Sequence, residues 1–169
     1  ASGERALPLE QLWTGPGETA ADPRELLVQI DVPAPAPATG SAYVRLEYRR
    51  QMEIAVVGVT AVVRLDAGSV SDARVAITAL APTIRRVSEA EAALIGSDGG
   101  DEAIAEAARA AASGSSPITD VRSSAEYRSA MANVIARRAI VVALARARGE
   151  HVPIPASAAT YASVGGTSR

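Results

Sequence analysis

Cysteine, lysine and phenylalanine are all absent from this 169-residue chain. Without cysteine there is no disulfide, thiolate zinc site, iron–sulfur ligand or cysteine nucleophile. Histidine occurs once, at His151, so a triad or a histidine-based metal site would have to use that residue. It follows an expected helix end and precedes Pro153, with Glu150 as its one acidic neighbour, which reads as a surface histidine. Aromatic residues are scarce, one Trp and four Tyr, and give little grip on a large aromatic ligand. No apolar run reaches the length of a membrane span; the longest candidate, Ala139 to Ala145, ends in arginines. The opening "ASGERALPLE" lacks the basic-then-apolar pattern of a signal peptide. A soluble, cytoplasmic protein is expected. The formal net charge of −2 offers no electrostatic reason to bind nucleic acid. All 17 basic residues are arginine, which with the abundance of alanine suggests a bacterial genome of high GC content.

What is present is an apolar set of small residues, Ala and Val, within a chain that is 48% hydrophobic. That is enough for a core. Residues 1–38 read as the end of one domain, with a strand at Glu25–Val32 that needs a partner sheet and a Pro-rich boundary at Pro33–Pro37. Tyr43–Arg49, Ala55–Leu65 and Val70–Leu80 read as three antiparallel strands. The last two form a hairpin around Gly68, and Gly58 marks a bulge or close packing. Helices follow. Ser88 with Glu91 reads as a capping box, Asp101–Ala112 as an Ala-rich helix, and Ser123 with Glu126 as a second capping box. That second box opens a long helix ending near Arg148, with Gly149 as its stop. Tyr127, Met131, Val134, Ile135 and Val142 are expected on its apolar face, and Arg128, Arg137, Arg146 and Arg148 in solvent. Residues 150–169 read as a tail. Strands first and helices after predict an α+β domain over 39–149, a three- to four-stranded antiparallel sheet against about three helices.

No catalytic constellation stands out. Glu89/Glu91 and Asp101/Glu102 occur at helix starts, where capping and the helix dipole explain them. "SVGGTSR" at Ser163–Arg169 lacks the following helix that a phosphate loop needs, and "TGPGET" at Thr14–Thr19 loses an amide donor to its proline. Arg49-Arg50 and Arg137-Arg138 read as solvated or ion-paired. Arg45, on a strand that could be central, is the arginine of most interest, and its ordinary reading is a strand-edge salt bridge.

The ordered segments "ELLVQIDVPAP", "SAYVRLEYRRQMEIAVVGVTAVVRL", "SDARVAITALAPTIRRVSEAEAALIG" and "ITDVRSSAEYRSAMANVIARRAI" closely resemble the C-terminal part of the FAD-binding medium subunit of molybdenum hydroxylases, the xanthine dehydrogenase and carbon monoxide dehydrogenase family. The last segment is the most specific: Asp120, Arg122, Ser123, Ser124, Ala125, Glu126, Tyr127, Arg128 and then Arg137, Arg138, Ala139. The resemblance implies an oxidoreductase subunit. It would carry FAD and pass electrons from a molybdenum-cofactor subunit and an iron–sulfur subunit to an acceptor. It also implies an N-terminal FAD-binding portion, whose two Gly-Gly loops have no counterpart in these residues. Two positions carry over as cofactor-binding: Leu26, matching a leucine that touches the flavin, and Arg45, matching a basic residue near it. The family's Asp-x-Ala pattern reads Glu53 and Ala55 here. The competing reading is a cofactor-free interaction module derived from the same domain.

Overall fold

The computed structural model describes residues 3–49 and 52–157. A single 3-10 turn, Leu9–Gln11, leads into a small hairpin of β1 (Trp13–Gly15) and β2 (Glu18–Thr19). The main sheet is antiparallel with the order β3 (Thr39–Leu46), β4 (Val57–Asp66), β5 (Ser69–Thr78) and β6 (Arg85–Arg86). Three helices follow: α1 (Ser88–Leu94), α2 (Asp101–Ser113) and α3 (Ala125–Ala147). This is the expected α+β architecture. Among the described residues, no helix is long and apolar enough to cross a membrane.

Side chains alternate across a strand, and the register divides the sheet accordingly. Ala42 and Val44 of β3, Val59, Ala61 and Val63 of β4, and Ala73, Val75 and Ile77 of β5 are buried under the helices. Tyr43 and Arg45, paired with Thr60 and Gly58, lie on the opposite, open face. Ala67 and Gly68 join β4 to β5 with φ of 48° and 87°, the doubly left-handed geometry that matches strand twist in a tight hairpin. The register shift in this hairpin falls between Arg64 and Leu65. At Gly58 the alternative expectation, close packing, holds: a Cβ there would stand 2.3 Å from Thr78 Oγ1 and 2.7 Å from the Tyr43 hydroxyl.

Helix α3 lies across β3 and β4, α1 covers β5, and α2 packs on α1 and α3. Alanines make the close approach between layers feasible. Ala132, Ala136, Ala139 and Ala143 are fully buried on α3, beside Ile135, Ile140 and Leu144. The tightest point is Gly40 on β3, where a Cβ would meet the Ala143 carbonyl oxygen at 2.0 Å.

Four sequence expectations need correction. Glu25–Val32 forms no strand: Leu26, Leu27, Val28, Ile30 and Val32 are exposed. Strand pairing requires a neighbouring edge, and this segment has none in the described chain. Neither capping box forms. Ser88 is already helical behind Val87 as N-cap, and Glu91 turns to the sheet instead. The N-cap of α3 is Ser124, one residue later than expected, and its hydroxyl accepts from the Tyr127 N–H. The buried face of α3 runs through Ala132, Ile135, Ala136, Ala139, Ile140 and Ala143, and Tyr127 is 46% exposed. Finally, Arg128 is buried at 4% exposure. Its Nη2 donates to Asp120 Oδ1 at 2.6 Å and its Nη1 to the Ala79 carbonyl at 3.3 Å.

Candidate functional site

Arg45 is placed by strand alternation. Val44 and Leu46 on either side turn towards the helices, so the Arg45 side chain leaves the open face opposite Gly58. Tyr43 and Thr78 fill the space above the glycine, and Thr78 Oγ1 is buried there with no hydrogen-bond partner among the described residues. The guanidinium pairs through Nε with the Glu47 carboxylate, and Nη1 reaches the Glu53 carbonyl at 3.5 Å. Arg49 repeats the pattern four residues on, with its Nε 3.3 Å from Glu53 Oε2 and its Nη2 donating to the Met52 carbonyl at 2.9 Å. Among the described residues here, Arg45 and Arg49 are each paired with a glutamate.

β3 is an edge strand, and residues 150–157 run back along it. Arg146 Nη1 donates to the Ser41 carbonyl at 2.6 Å, while Nη2 donates to the Val152 and Pro153 carbonyls at 3.2 and 2.8 Å. The Arg45 N–H donates to Ser157 Oγ at 3.4 Å, and Ala156 is buried. Covering an edge in this way blocks its use as a pairing template.

Leu26 is 88% exposed on the extended segment after Glu25, so nothing in the described chain packs over it, Arg45 included. The start of that segment is fixed. Arg5 Nε and Nη2 donate to the two Glu25 oxygens at 2.6 and 2.7 Å, which hold the Glu25 carboxyl at a pKa of about 2. A second link ties the N-terminal segment to the domain. Arg86 joins Glu10 at 2.9 Å and Glu91 at 2.7 Å, Glu91 above all holding its pKa above the ordinary arginine value. Glu91, 8% exposed, also accepts from the Val75 N–H at 3.0 Å, so its work is to join α1 to β5 and β6.

Of the remaining candidates, those described lie at the surface or in a turn. His151 is exposed. Asp101 pairs with Arg137 at 3.0 Å on the surface. Gly15–Gly17 makes the β1–β2 turn, and Ser163–Arg169 lies outside the described residues. No cluster of His, Cys, Asp and Glu among the described residues is suited to hold a metal ion. Sequence reasoning missed Glu47, although the i, i+2 spacing of "RLE" in a strand signals that Arg45 and Glu47 share a face. Leu26 is exposed and Arg45 is held in an ion pair, and the described chain does not bring the two into contact.

Residues 42–143 match the family model described as the CO dehydrogenase flavoprotein C-terminal domain. The carbon monoxide dehydrogenase medium chain of Hydrogenophaga pseudoflava is 36% identical over 145 residues, covering 86% of this chain and 50% of that protein. Subunit alpha of the 6-hydroxypseudooxynicotine dehydrogenase complex of Paenarthrobacter nicotinovorans is 35% identical over 147 residues, covering 86% and 49%. A solved Hydrogenophaga pseudoflava carbon monoxide dehydrogenase, lacking the Mo-pyranopterin moiety of its molybdenum cofactor, superposes with a TM-score of 0.80 at 39% identity, over 84% of this chain and 49% of that one. The chain thus spans about half the length of the curated relatives it matches. On these grounds it belongs to the CO dehydrogenase flavoprotein C-terminal domain family.

Proposed function

We propose that this chain is the C-terminal portion of the flavoprotein subunit of a molybdenum hydroxylase. In this reading it works in a soluble cytoplasmic complex with an iron–sulfur subunit and a molybdenum-cofactor subunit. Residues 1–38 close the FAD-binding domain, 39–149 form the C-terminal domain, and 150–169 are the tail. The observation that carries the reading is the family match over half the length of flavoprotein relatives, joined to an apolar segment, residues 25–32, left without a cover. That segment pairs with the sheet of the N-terminal portion and brings Leu26 onto the flavin ring. Arg45 faces the flavin from the open side of the C-terminal sheet. Bound FAD would supply the redox chemistry that links the other subunits to an acceptor. Leu26 excludes water and supplies apolar contact, and Arg45 favours the negatively charged reduced state electrostatically.

The test is purification of the full-length protein. A yellow flavin absorbance that persists through gel filtration is expected, and a colourless protein overturns the reading. Within the coloured protein, Leu26→Asp is expected to weaken flavin retention at least tenfold. This places a charge where the ring's apolar contact belongs, about 1.4 kcal/mol per tenfold. Retention unchanged from the parent removes Leu26 from the site.

A further inference from the structure

Glu47 lies just past the end of β3, and its side chain is only 12% exposed with Oε2 buried. Among the described residues, the one positive group in ion-pair reach of it is Arg45. A buried carboxylate needs such a partner, since desolvation penalises a lone charge. The consequence for Arg45 is electrostatic. A guanidinium in contact with a carboxylate presents a dipole, whose field fades with distance faster than that of a free cation. Such a pair suits a ligand that is neutral in one state and anionic in the other. A permanently charged phosphate is better served by uncompensated, forked arginine donors.

The geometry points to Glu47 as a tuning residue, the counter-charge that limits how strongly Arg45 stabilises a reduced, anionic flavin. This rests on the placement of Arg45 by the flavin proposed above. It makes Glu47 and Arg45 opposite levers on one quantity, the flavin reduction potential.

The experiment is a spectroelectrochemical titration of the bound flavin in the full-length protein and three variants: Glu47→Gln, Arg45→Gln and the double variant. Glu47→Gln is expected to raise the potential. A tenfold gain in the equilibrium constant for reduction corresponds to about 30 mV for a two-electron couple. Arg45→Gln is expected to lower it, and the double variant to fall between the two singles. A purely structural role for Glu47 leaves the potential unmoved. If Arg45→Gln lowers the potential and Glu47→Gln leaves it unchanged or lowers it, the counter-charge role is overturned while Arg45 keeps its place. If neither substitution moves the potential of a flavin that is present, the placement of Arg45 fails and this inference fails with it. Should Glu47→Gln not fold, the double variant, which leaves no lone buried charge, replaces it. A potential above that of Arg45→Gln supports the role, and an equal one overturns it.

Discussion

At Gly40 the fold has no room for a methyl group. The Ala143 carbonyl would stand 2.0 Å from a Cβ and the Ala147 amide nitrogen 2.3 Å, and both belong to helix backbone that has no rotamer to change. Gly40→Ala is therefore expected to separate β3 from α3 and destabilise the protein by about 2–3 kcal/mol, read by urea denaturation. Arg128 acts by a different route. Its guanidinium ties Asp120, ahead of α3, to the carbonyl of Ala79, a residue in left-handed conformation just after β5. Removing it leaves that carbonyl without its guanidinium donor and takes from the Asp120 carboxylate its shortest hydrogen bond. Arg128→Ala is expected to lower the thermal midpoint clearly more than Arg122→Ala, because Arg122 contributes a more exposed side chain and a longer 3.4 Å contact to the same aspartate.

At the scale of elements, the start of α3 separates two neighbouring serines. Ser124 is the N-cap, with its hydroxyl 3.1 Å from the Tyr127 amide, while Asp120 takes the Ser123 amide at 3.2 Å. Ser124→Ala is expected to cost about 1 kcal/mol and Ser123→Ala less than about 0.5 kcal/mol, because only the first loses a capping bond. Equal losses in denaturation midpoint would contradict this assignment. The spacing to Glu126 points to Ser123, and local chemistry alone does not rule out its neighbour Ser124. The choice is made by the bridge between Asp120 and Ser123, which keeps residues 120–123 out of the helix. The same limit applies at α1. Ser88 and Glu91 have the spacing of a capping box, yet Glu91 finds stronger donors in Arg86 and the Val75 amide, groups that only the folded sheet brings to it.

Across the whole molecule, two carboxylates held by arginines and amides make acid stability measurable. The Arg122 amide chiefly, then the Arg128 guanidinium and the Ser123 amide, holds Asp120 below the usual carboxylate range. Arg5 does the same to Glu25, down to about 2. A depressed folded-state pKa stabilises the fold above the unfolded value of about 4 and loses that contribution as pH falls through the folded value. Stability is thus expected to decline from about pH 4 downward, towards the Glu25 value of about 2. The Asp120→Asn variant is expected to show a shallower decline over that window in pH-dependent urea titrations. A slope equal to the parent's would mean that Asp120 titrates alike in both states. The uncovered segment of residues 25–32 belongs to this scale too, since its apolar side chains find no partner within the described chain.

The sequence by itself determined the class and order of the main elements, β3 to β5 and α1 to α3. Alternating valines made strands, Ala-rich stretches with acidic starts made helices, and Ala67-Gly68 turned the hairpin. These signals are local, set by side-chain period and backbone freedom, and ordered family motifs were legible for the same reason. Tertiary structure decided the rest. It buried Arg128, drew Glu91 away from its helix end, left Glu25–Val32 unpaired and set Glu47 against Arg45. Each of those outcomes depends on which charge or strand edge arrives from elsewhere in the chain, and pairing energies of that kind are invisible to spacing along the sequence.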